Sequence, residues 1–79
     1  MPALNEERKQ RNTELDIKVG ANIRERRIAL GLTQKDLANF AGMDAGLFAR
    51  VEKGERTLKL HDACRIAQKL KVKVETLTR

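Results

Sequence analysis

The chain has few of the residues that build disulfide-rich, aromatic-cored or membrane-spanning proteins. Its 79 residues include one cysteine, one proline, two phenylalanines and no tyrosine or tryptophan. A single cysteine, Cys64, excludes an internal disulfide and fits a reducing compartment. No apolar run approaches the ~20 residues of a membrane span, and the N-terminus lacks the apolar core of a signal peptide. We therefore expect a cytoplasmic protein without a membrane partner.

Catalytic and metal-binding side chains are equally sparse. His61 is the only histidine, and no cysteine or second histidine stands near it at metal-ligand spacing. Gly42, Gly46 and Gly54 are too scattered for a phosphate-binding loop. We therefore expect no enzyme activity, metal, cofactor or small-molecule substrate. His61 is predicted to lie on a solvated helix surface, and Cys64 is predicted to be a small core residue.

Positive charge and helix-forming residues are what the chain does have. The formal net charge of +6 permits a polyanionic partner without requiring one. Residues 1–32 contain seven Lys or Arg and five Asp or Glu, residues 33–57 contain four of each, and residues 58–79 contain six against two. The surplus of positive charge lies mostly at the C-terminal end. These charges either attract a polyanion or form a surface that keeps the protein in solution. Ala, Leu, Ile and Val supply the apolar content, which favours an all-α fold.

A single domain over residues 13–79 is predicted to follow a mobile, charged N-terminal arm of residues 1–12. The sequence TELD, at Thr13–Asp16, is typical of a capping box that opens a helix. Gly31 is typical of the end of that helix. One face of the first helix is predicted to carry Val19, Ile23, Arg27 and Leu30.

Two short helices are predicted next. Thr33 is a suitable N-cap for the second helix, with Asp36 completing a capping box, and Gly42 ends it. Asp44 is a suitable N-cap for the third helix, which ends at Gly54. The residues predicted to face inward are Leu37, Ala38 and Ala41 on the second helix, and Phe48, Val51 and Glu52 on the third.

The C-terminal part predicts a fourth helix and a short fifth one. The apolar face of the fourth helix is predicted to contain Leu60, Ala63, Cys64, Ala67 and Leu70. The fifth helix begins after Lys73, with Val74 and Leu77 apolar. Short connections between these segments favour a compact five-helix bundle.

Two charged residues lie on predicted apolar faces, Arg27 on the first helix and Glu52 on the third. A lone buried charge costs several kcal/mol, so each is expected to have a partner. An ion pair between the two is one solution. The other is that both side chains extend to solvent along the protein surface.

The segment RRIALGLTQKDLANFAGMDAGLFARVEKGER resembles the helix-turn-helix family of phage Cro and repressor proteins, often called the XRE family. The resemblance extends from Val19 to Leu77, and its most specific elements are GLTQKDLA, the turn glycine Gly42 and RVEKGER. It implies a lambda-repressor-like five-helix bundle. It also implies a prokaryotic or phage-encoded transcriptional regulator that binds operator DNA as a dimer and associates with the nucleoid.

The resemblance also implies roles for particular residues. Thr33 and Gln34 are placed where family members bind a backbone phosphate, which agrees with the anion affinity of a helix N-terminus. Base reading falls on the start and middle of the third helix, phosphate contact on the loop after it, and the buried ion pair of some phage repressors on Arg27 and Glu52. The predicted DNA-binding residues are Thr33, Gln34, Lys35, Asp44, Ala45, Gly46, Leu47, Arg50, Lys53, Arg56 and Lys59.

The chain departs from the family pattern at several of these positions. Ala45 and Gly46 cannot make the bidentate hydrogen bonds that distinguish bases. Lys59 and Lys73 stand where the family usually has a capping Ser, Thr or Asp, although a cation at a helix start opposes the helix dipole. Lys71 replaces the usual C-terminal glycine. These unfavourable placements indicate a use for charge, and Lys59 is predicted to bind DNA phosphate.

The sequence leaves several alternatives open. Val74 and Leu77 either contribute to a dimer contact or complete the monomer core. The scaffold also suits a protein-interaction module, antitoxin-like or polymerase-contacting, and a weakly specific nucleic-acid binder. Among regulators, the family includes phage repressors, restriction–modification controllers and antitoxins.

Overall fold

The computed structural model describes residues 12–79 of the chain. Four α-helices follow one another in this part: α1 (Thr13–Ala29), α2 (Gln34–Ala41), α3 (Ala45–Glu52) and α4 (Leu60–Leu70). A 3₁₀-helix, Val74–Thr78, comes last. The described residues contain no β-strand, which confirms the all-α class. The arm predicted for residues 1–12 lies outside the described residues, apart from Asn12.

The count of five helices holds only if the last segment is included. That segment is a 3₁₀-helix of five residues, and it contains an i→i−3 hydrogen bond of 3.0 Å from the amide of Thr76 to the carbonyl oxygen of Lys73. So short a segment forms few of the i→i−4 bonds that stabilise an α-helix, and the tighter 3₁₀ turn suits it.

The hydrophobic core lies where the four α-helices and the 3₁₀-helix meet. Helix α2 packs against α3 and α4, while α1 packs against α3 and the 3₁₀-helix. The largest fully buried side chains are Phe48, Ile23, Leu37, Ile66, Leu70 and Val51. The three inward-facing residues predicted for α2 and the three predicted for α3 are all buried.

Local hydrogen bonds set the ends of α2 and α3 as predicted. The hydroxyl of Thr33 accepts a bond of 3.0 Å from the amide of Asp36, and the Asp36 carboxylate accepts one of 3.0 Å from the amide of Thr33. Helix α2 ends at Gly42, whose φ of +70° is accessible to glycine at little cost. The carboxylate of Asp44 then caps α3 by accepting a 3.1 Å bond from the amide of Leu47.

The start of α1 differs from the prediction. Its N-cap is Asn12, whose side-chain oxygen accepts a 3.1 Å bond from the amide of Leu15. Thr13 is the first helical residue, so the predicted TELD capping box is wrong. Asn ranks above Thr as an N-cap. Asp16 is buried instead of closing the box, and it accepts a 2.9 Å bond from the hydroxyl of Thr57.

Two glycines allow α1 to cross the end of α3 at close range. A Cβ atom at Gly20 would clash with the carbonyl oxygen of Val51. A Cβ atom at Gly54 would lie 2.6 Å from Cγ1 of Ile17, and the φ of Gly54 is +77°. Because the first obstacle is backbone, it cannot rotate away. The orientation of α3 therefore depends on this contact with α1.

The buried face of α4 is partly different from the predicted one. Ala63, Ala67 and Leu70 are buried as expected, but Leu60 is 72% exposed and Cys64 is exposed as well. The prediction that Cys64 is a core residue is wrong. Ile66 takes the inward position, because it lies about 200° around the helix from Cys64 and buries more apolar surface. His61 is exposed, as predicted.

Candidate nucleic-acid interface

A buried ion pair joins α1 to α3. The Arg27 guanidinium donates to both carboxylate oxygens of Glu52, with Nε–Oε2 and Nη2–Oε1 distances of 2.6 Å and 3.0 Å. The Glu52 side chain is 2% exposed and that of Arg27 is 12% exposed. The hydrogen bond to Glu52 raises the pKa of Arg27 above its ordinary value. The two charged residues singled out in the sequence thus contact each other instead of extending separately to solvent.

The same carboxylate also holds the first residue of α2. The side-chain amide of Gln34 donates a 2.9 Å bond to Oε1 of Glu52. Arg27 donates a further 3.0 Å bond to the carbonyl oxygen of Leu32, in the connection that precedes α2. We refer to Arg27, Glu52 and Gln34 as the buried network. It fixes the start of α2 to α3, the helix that carries Arg50.

Sequence reasoning did not identify the bond between Gln34 and Glu52. The available signal was the spacing of Ala45, Ala49 and Glu52, which places two small residues and a carboxylate along one face of α3. A long amide side chain is able to reach across such small residues.

The N-terminus of α2 presents polar groups on the surface. Thr33 and Lys35 are exposed, and Gln34 is half-buried. The amides of Gln34 and Lys35 belong to the first turn of α2, where N–H groups have no acceptor within the helix. Such N–H groups and the positive end of the helix dipole favour an anion.

The outer face of α3 has small residues at its start and a cation one turn later. Asp44, Ala45, Gly46 and Arg50 are exposed, and Leu47 is half-buried. An open recess on this face, which we call the α3 recess, is lined by Asp44, Gly46, Leu47, Arg50 and Arg56. The structure thus brings Arg56, from the loop after α3, beside the residues of the third helix.

Two other predicted DNA contacts lie at helix ends. Lys53 follows the last residue of α3 as its C-cap, and Lys59 occupies the N-cap position of α4. Both are exposed. The side chain of Lys59 makes no capping hydrogen bond, so it contributes charge instead of a cap at this position.

The two candidates for a dimer contact, Val74 and Leu77, lie near the C-terminus of the chain. Leu77 is 2% exposed and belongs to the core cluster, so it completes the monomer core. Val74 is half-buried and packs against that cluster. Both residues line an apolar groove together with Leu15, Val19 and Leu60.

The described part of the chain contains neither a membrane-spanning helix nor a metal-binding cluster. Among residues 12–79, no helix is long and apolar enough to cross a membrane. The same residues contain no group of three His, Cys, Asp or Glu side chains arranged to hold a metal ion.

Two short helices joined by a glycine turn, with the second exposing small residues and the cation Arg50, define a helix-turn-helix DNA-binding domain. The sequence matches a model of the helix-turn-helix domain family over residues 18–79, and the chain belongs to this family. The protein is thus a DNA-binding regulator of the helix-turn-helix class, as its sequence predicted.

Two solved structures are similar to the chain. The restriction–modification controller protein C.AhdI from Aeromonas hydrophila has a TM-score of 0.74 and 34% identity, covering 78% of this chain and 94% of that one. The clp gene regulator ClgR from Corynebacterium glutamicum has a TM-score of 0.77 and 22% identity, covering 80% of this chain and 67% of that one. The second likeness concerns the fold alone. No curated protein matches the chain.

Proposed function

We propose that the protein binds operator DNA sequence-specifically, with α3 in the major groove and the N-terminus of α2 on a backbone phosphate. The observation that carries this proposal is the buried network. The network holds Nε2 of Gln34 at 2.9 Å from Oε1 of Glu52. It thereby fixes the α2 N-terminus relative to the exposed face of α3, which carries Arg50. A phosphate-binding group and a base-reading group need such a fixed relation, because phosphate contacts set the register in which bases are read.

The small residues at the start of α3 favour a close approach to the bases. Ala45 and Gly46 add little bulk between the α3 backbone and the floor of the major groove. Arg50 then donates to guanine O6 and N7, and Leu47 contacts a thymine methyl group. With so few direct contacts, part of the specificity comes from DNA shape.

The polar start of α2 and the exposed lysines around α2 and α3 supply the phosphate contacts. Thr33, Gln34 and Lys35 bind at the α2 N-terminus, while Lys53 and Lys59 bind from either end of the loop that follows α3. Lys59 is exposed and makes no capping bond, which leaves its ammonium group available to DNA. Each such contact displaces counterions and contributes to the salt dependence of binding.

A homodimer is part of the proposal. The apolar groove beside the 3₁₀-helix is flanked by Leu60, 72% exposed, and Leu15, 39% exposed. Val74 lies in the same groove, and covering these side chains with a second copy removes apolar surface from water. Such a dimer places two α3 helices ~34 Å apart on a pseudo-palindromic operator. The 34% sequence identity to a restriction–modification controller protein favours that role over the roles of phage repressor and antitoxin.

A titration against specific and random duplexes tests the proposal. The specific duplex is the one enriched from a randomised pool, and both duplexes are measured at several salt concentrations. We expect the specific duplex to bind at least ~10³-fold more tightly, and Lys59→Ala to reduce the salt slope by about one. Equal affinity for both duplexes contradicts the proposal and supports a charge-driven binder. No binding at low salt contradicts it and supports a protein-interaction module.

A further inference from the structure

We infer that the α3 recess recognises one G·C base pair, with Asp44 on the cytosine and Arg50 and Arg56 on the guanine. This inference rests on the proposed function and assigns Asp44 and Arg56 roles in base discrimination. The sequence predicts only that both residues bind DNA, with Arg56 in the loop expected to contact phosphate.

The position of the Asp44 carboxylate follows from two distances. A Cβ atom at Gly46 would lie 3.0 Å from Oδ2 of Asp44, so the carboxylate stands directly beside the side-chain-free surface of Gly46. The same oxygen accepts the 3.1 Å capping bond from the amide of Leu47, which holds the carboxylate in place. A carboxylate has about four acceptor positions, so Asp44 is able to accept a further bond from a ligand in the recess.

The cations of the recess come from two different segments. Arg50 lies one helical turn after Gly46 on α3, and both residues are exposed. Arg56 follows Gly54, where the chain turns with a φ of +77° tightly against Ile17. Because that turn is packed against α1, the backbone beyond it has a defined path, and it places Arg56 between the recess and the apolar groove beside the 3₁₀-helix, both of which Arg56 lines.

This set of donors and acceptors matches one base pair better than the others. In the major groove, guanine offers two adjacent acceptors, N7 and O6, and its cytosine offers an N4 amino donor. Arg50 donates to N7 and O6, Arg56 donates to the second acceptor position of O6, and the Asp44 carboxylate accepts from the amino group. An A·T pair offers adenine N7 beside an amino donor, so it lacks the two adjacent acceptors.

The carboxylate also argues against a phosphate in the recess. A phosphate beside Asp44 places two negative groups close together, and like charges repel most strongly where solvent is displaced. The edge of a G·C pair has no net charge and includes a donor for Asp44. A base edge therefore fits the recess better than the DNA backbone does.

The test uses the full-length protein and the duplex enriched from a randomised pool. We expect the enriched sequence to contain a fixed G·C pair in each half-site. Replacing that guanine with 7-deazaguanine, which lacks the N7 acceptor, is expected to lower affinity roughly tenfold. The same replacement is expected to have little effect on the Arg50→Ala variant, because its N7 donor is already absent.

Two further variants assign the remaining roles. Asp44→Ser keeps an N-cap hydroxyl but is too short to reach a base, so it is expected to relax the preference for cytosine while the melting temperature stays unchanged. Arg56→Ala is expected to lower the preference for guanine. Lys69→Ala is the matched control, since it also removes one cation but lies over the Phe40 ring, 5.3 Å from its centroid.

The outcomes separate the inference from the proposed function. If no duplex is enriched from the pool, both are wrong. If a duplex is enriched but 7-deazaguanine changes its affinity less than twofold, operator binding stands and the inference is wrong. An equal loss of affinity for all duplexes in Arg56→Ala also overturns the inference, because it identifies a phosphate contact.

Discussion

The two halves of the domain specify their helix ends in different ways. In the helix-turn-helix half, α2 and α3 begin at Thr33 and Asp44, whose side chains accept capping bonds, and α2 ends at a glycine. In the C-terminal half, α4 and the 3₁₀-helix begin after Lys59 and Lys73, and neither lysine makes a side-chain cap. Helix α4 ends at Lys71 with a φ of +61°.

This difference shows that tertiary packing, not local sequence, stabilises the C-terminal half. A cation at a helix start opposes the dipole by ~0.3–1 kcal/mol. A non-glycine residue in the left-handed conformation costs roughly 1–2 kcal/mol. Buried side chains such as Ile66, Leu70 and Leu77 offset these costs. The lysines thus keep positive charge on the surface at the expense of local stability.

The largest predicted effect concerns the buried network of the first half. Glu52→Ala leaves the Arg27 guanidinium without its carboxylate and is expected to lower the free energy of unfolding by about 3 kcal/mol. Urea denaturation measures this loss. Glu55→Ala removes an exposed carboxylate three residues away and is expected to change stability by less than ~0.5 kcal/mol. Similar losses in both variants would show that the network does not join the helices.

Removing a helix cap from the first half and adding one to the second are expected to change the stability in opposite directions. Thr33→Ala removes the hydroxyl that caps α2 and is expected to cost about 1 kcal/mol. Lys59→Ser introduces a cap at α4 and removes an unfavourable charge, for a gain of about 0.7 kcal/mol. Thermal melts of the two variants check both signs. A loss of stability in Lys59→Ser would contradict the contrast between the halves.

A smaller gain is expected at the end of α4. Lys71→Gly relieves the left-handed strain of ~1–2 kcal/mol, and part of this gain is offset by the larger conformational entropy of glycine in the unfolded chain. The net expectation is about 0.5 kcal/mol of added stability, measured by urea denaturation. Lys69→Gly is the control, because it places glycine inside the helix and is expected to destabilise. Equal destabilisation by both changes would exclude strain at Lys71.

The smallest effect concerns pH. The backbone amide of Thr33, followed by its hydroxyl, lowers the pKa of Asp36 below its ordinary value of 3.8. The interaction that lowers a carboxyl pKa contributes its full stabilisation at pH values above the ordinary pKa. That stabilisation is lost as the pH falls through the folded-state pKa. Asp36→Asn is therefore expected to lose less stability than the native chain between about pH 6 and about pH 3. Urea midpoints with identical pH dependence would contradict this assignment.

Local signals in the sequence predict the helix-turn-helix half well. Thr33 with Asp36, Gly42 and Asp44 act within four residues of their own position, and the structure contains each cap and the glycine turn. The wrong prediction at TELD has the same local basis: it overlooked Asn12, a better cap one residue earlier.

Packing between segments distant in the sequence is harder to predict. The choice between Cys64 and Ile66 on α4 depends on which side meets the core, and the periodicity of one helix admits both. The bond from Gln34 to Glu52 and the position of Arg56 in the α3 recess also depend on how separate segments meet. The ion pair of Arg27 with Glu52 is predictable because two charges stand on apolar faces and because the family resemblance places a pair at the same positions.

The central claim is that DNA lies across the α2 N-terminus and α3, and amide chemical-shift mapping tests it most directly. An NMR titration with the enriched duplex follows every backbone amide of the chain. The account predicts the largest shifts at residues 33–35, 44–50 and 53–59, with small shifts along α4 beyond its first turn. Large shifts confined to the C-terminal lysines at positions 69–73, with residues 33–50 unchanged, would contradict it.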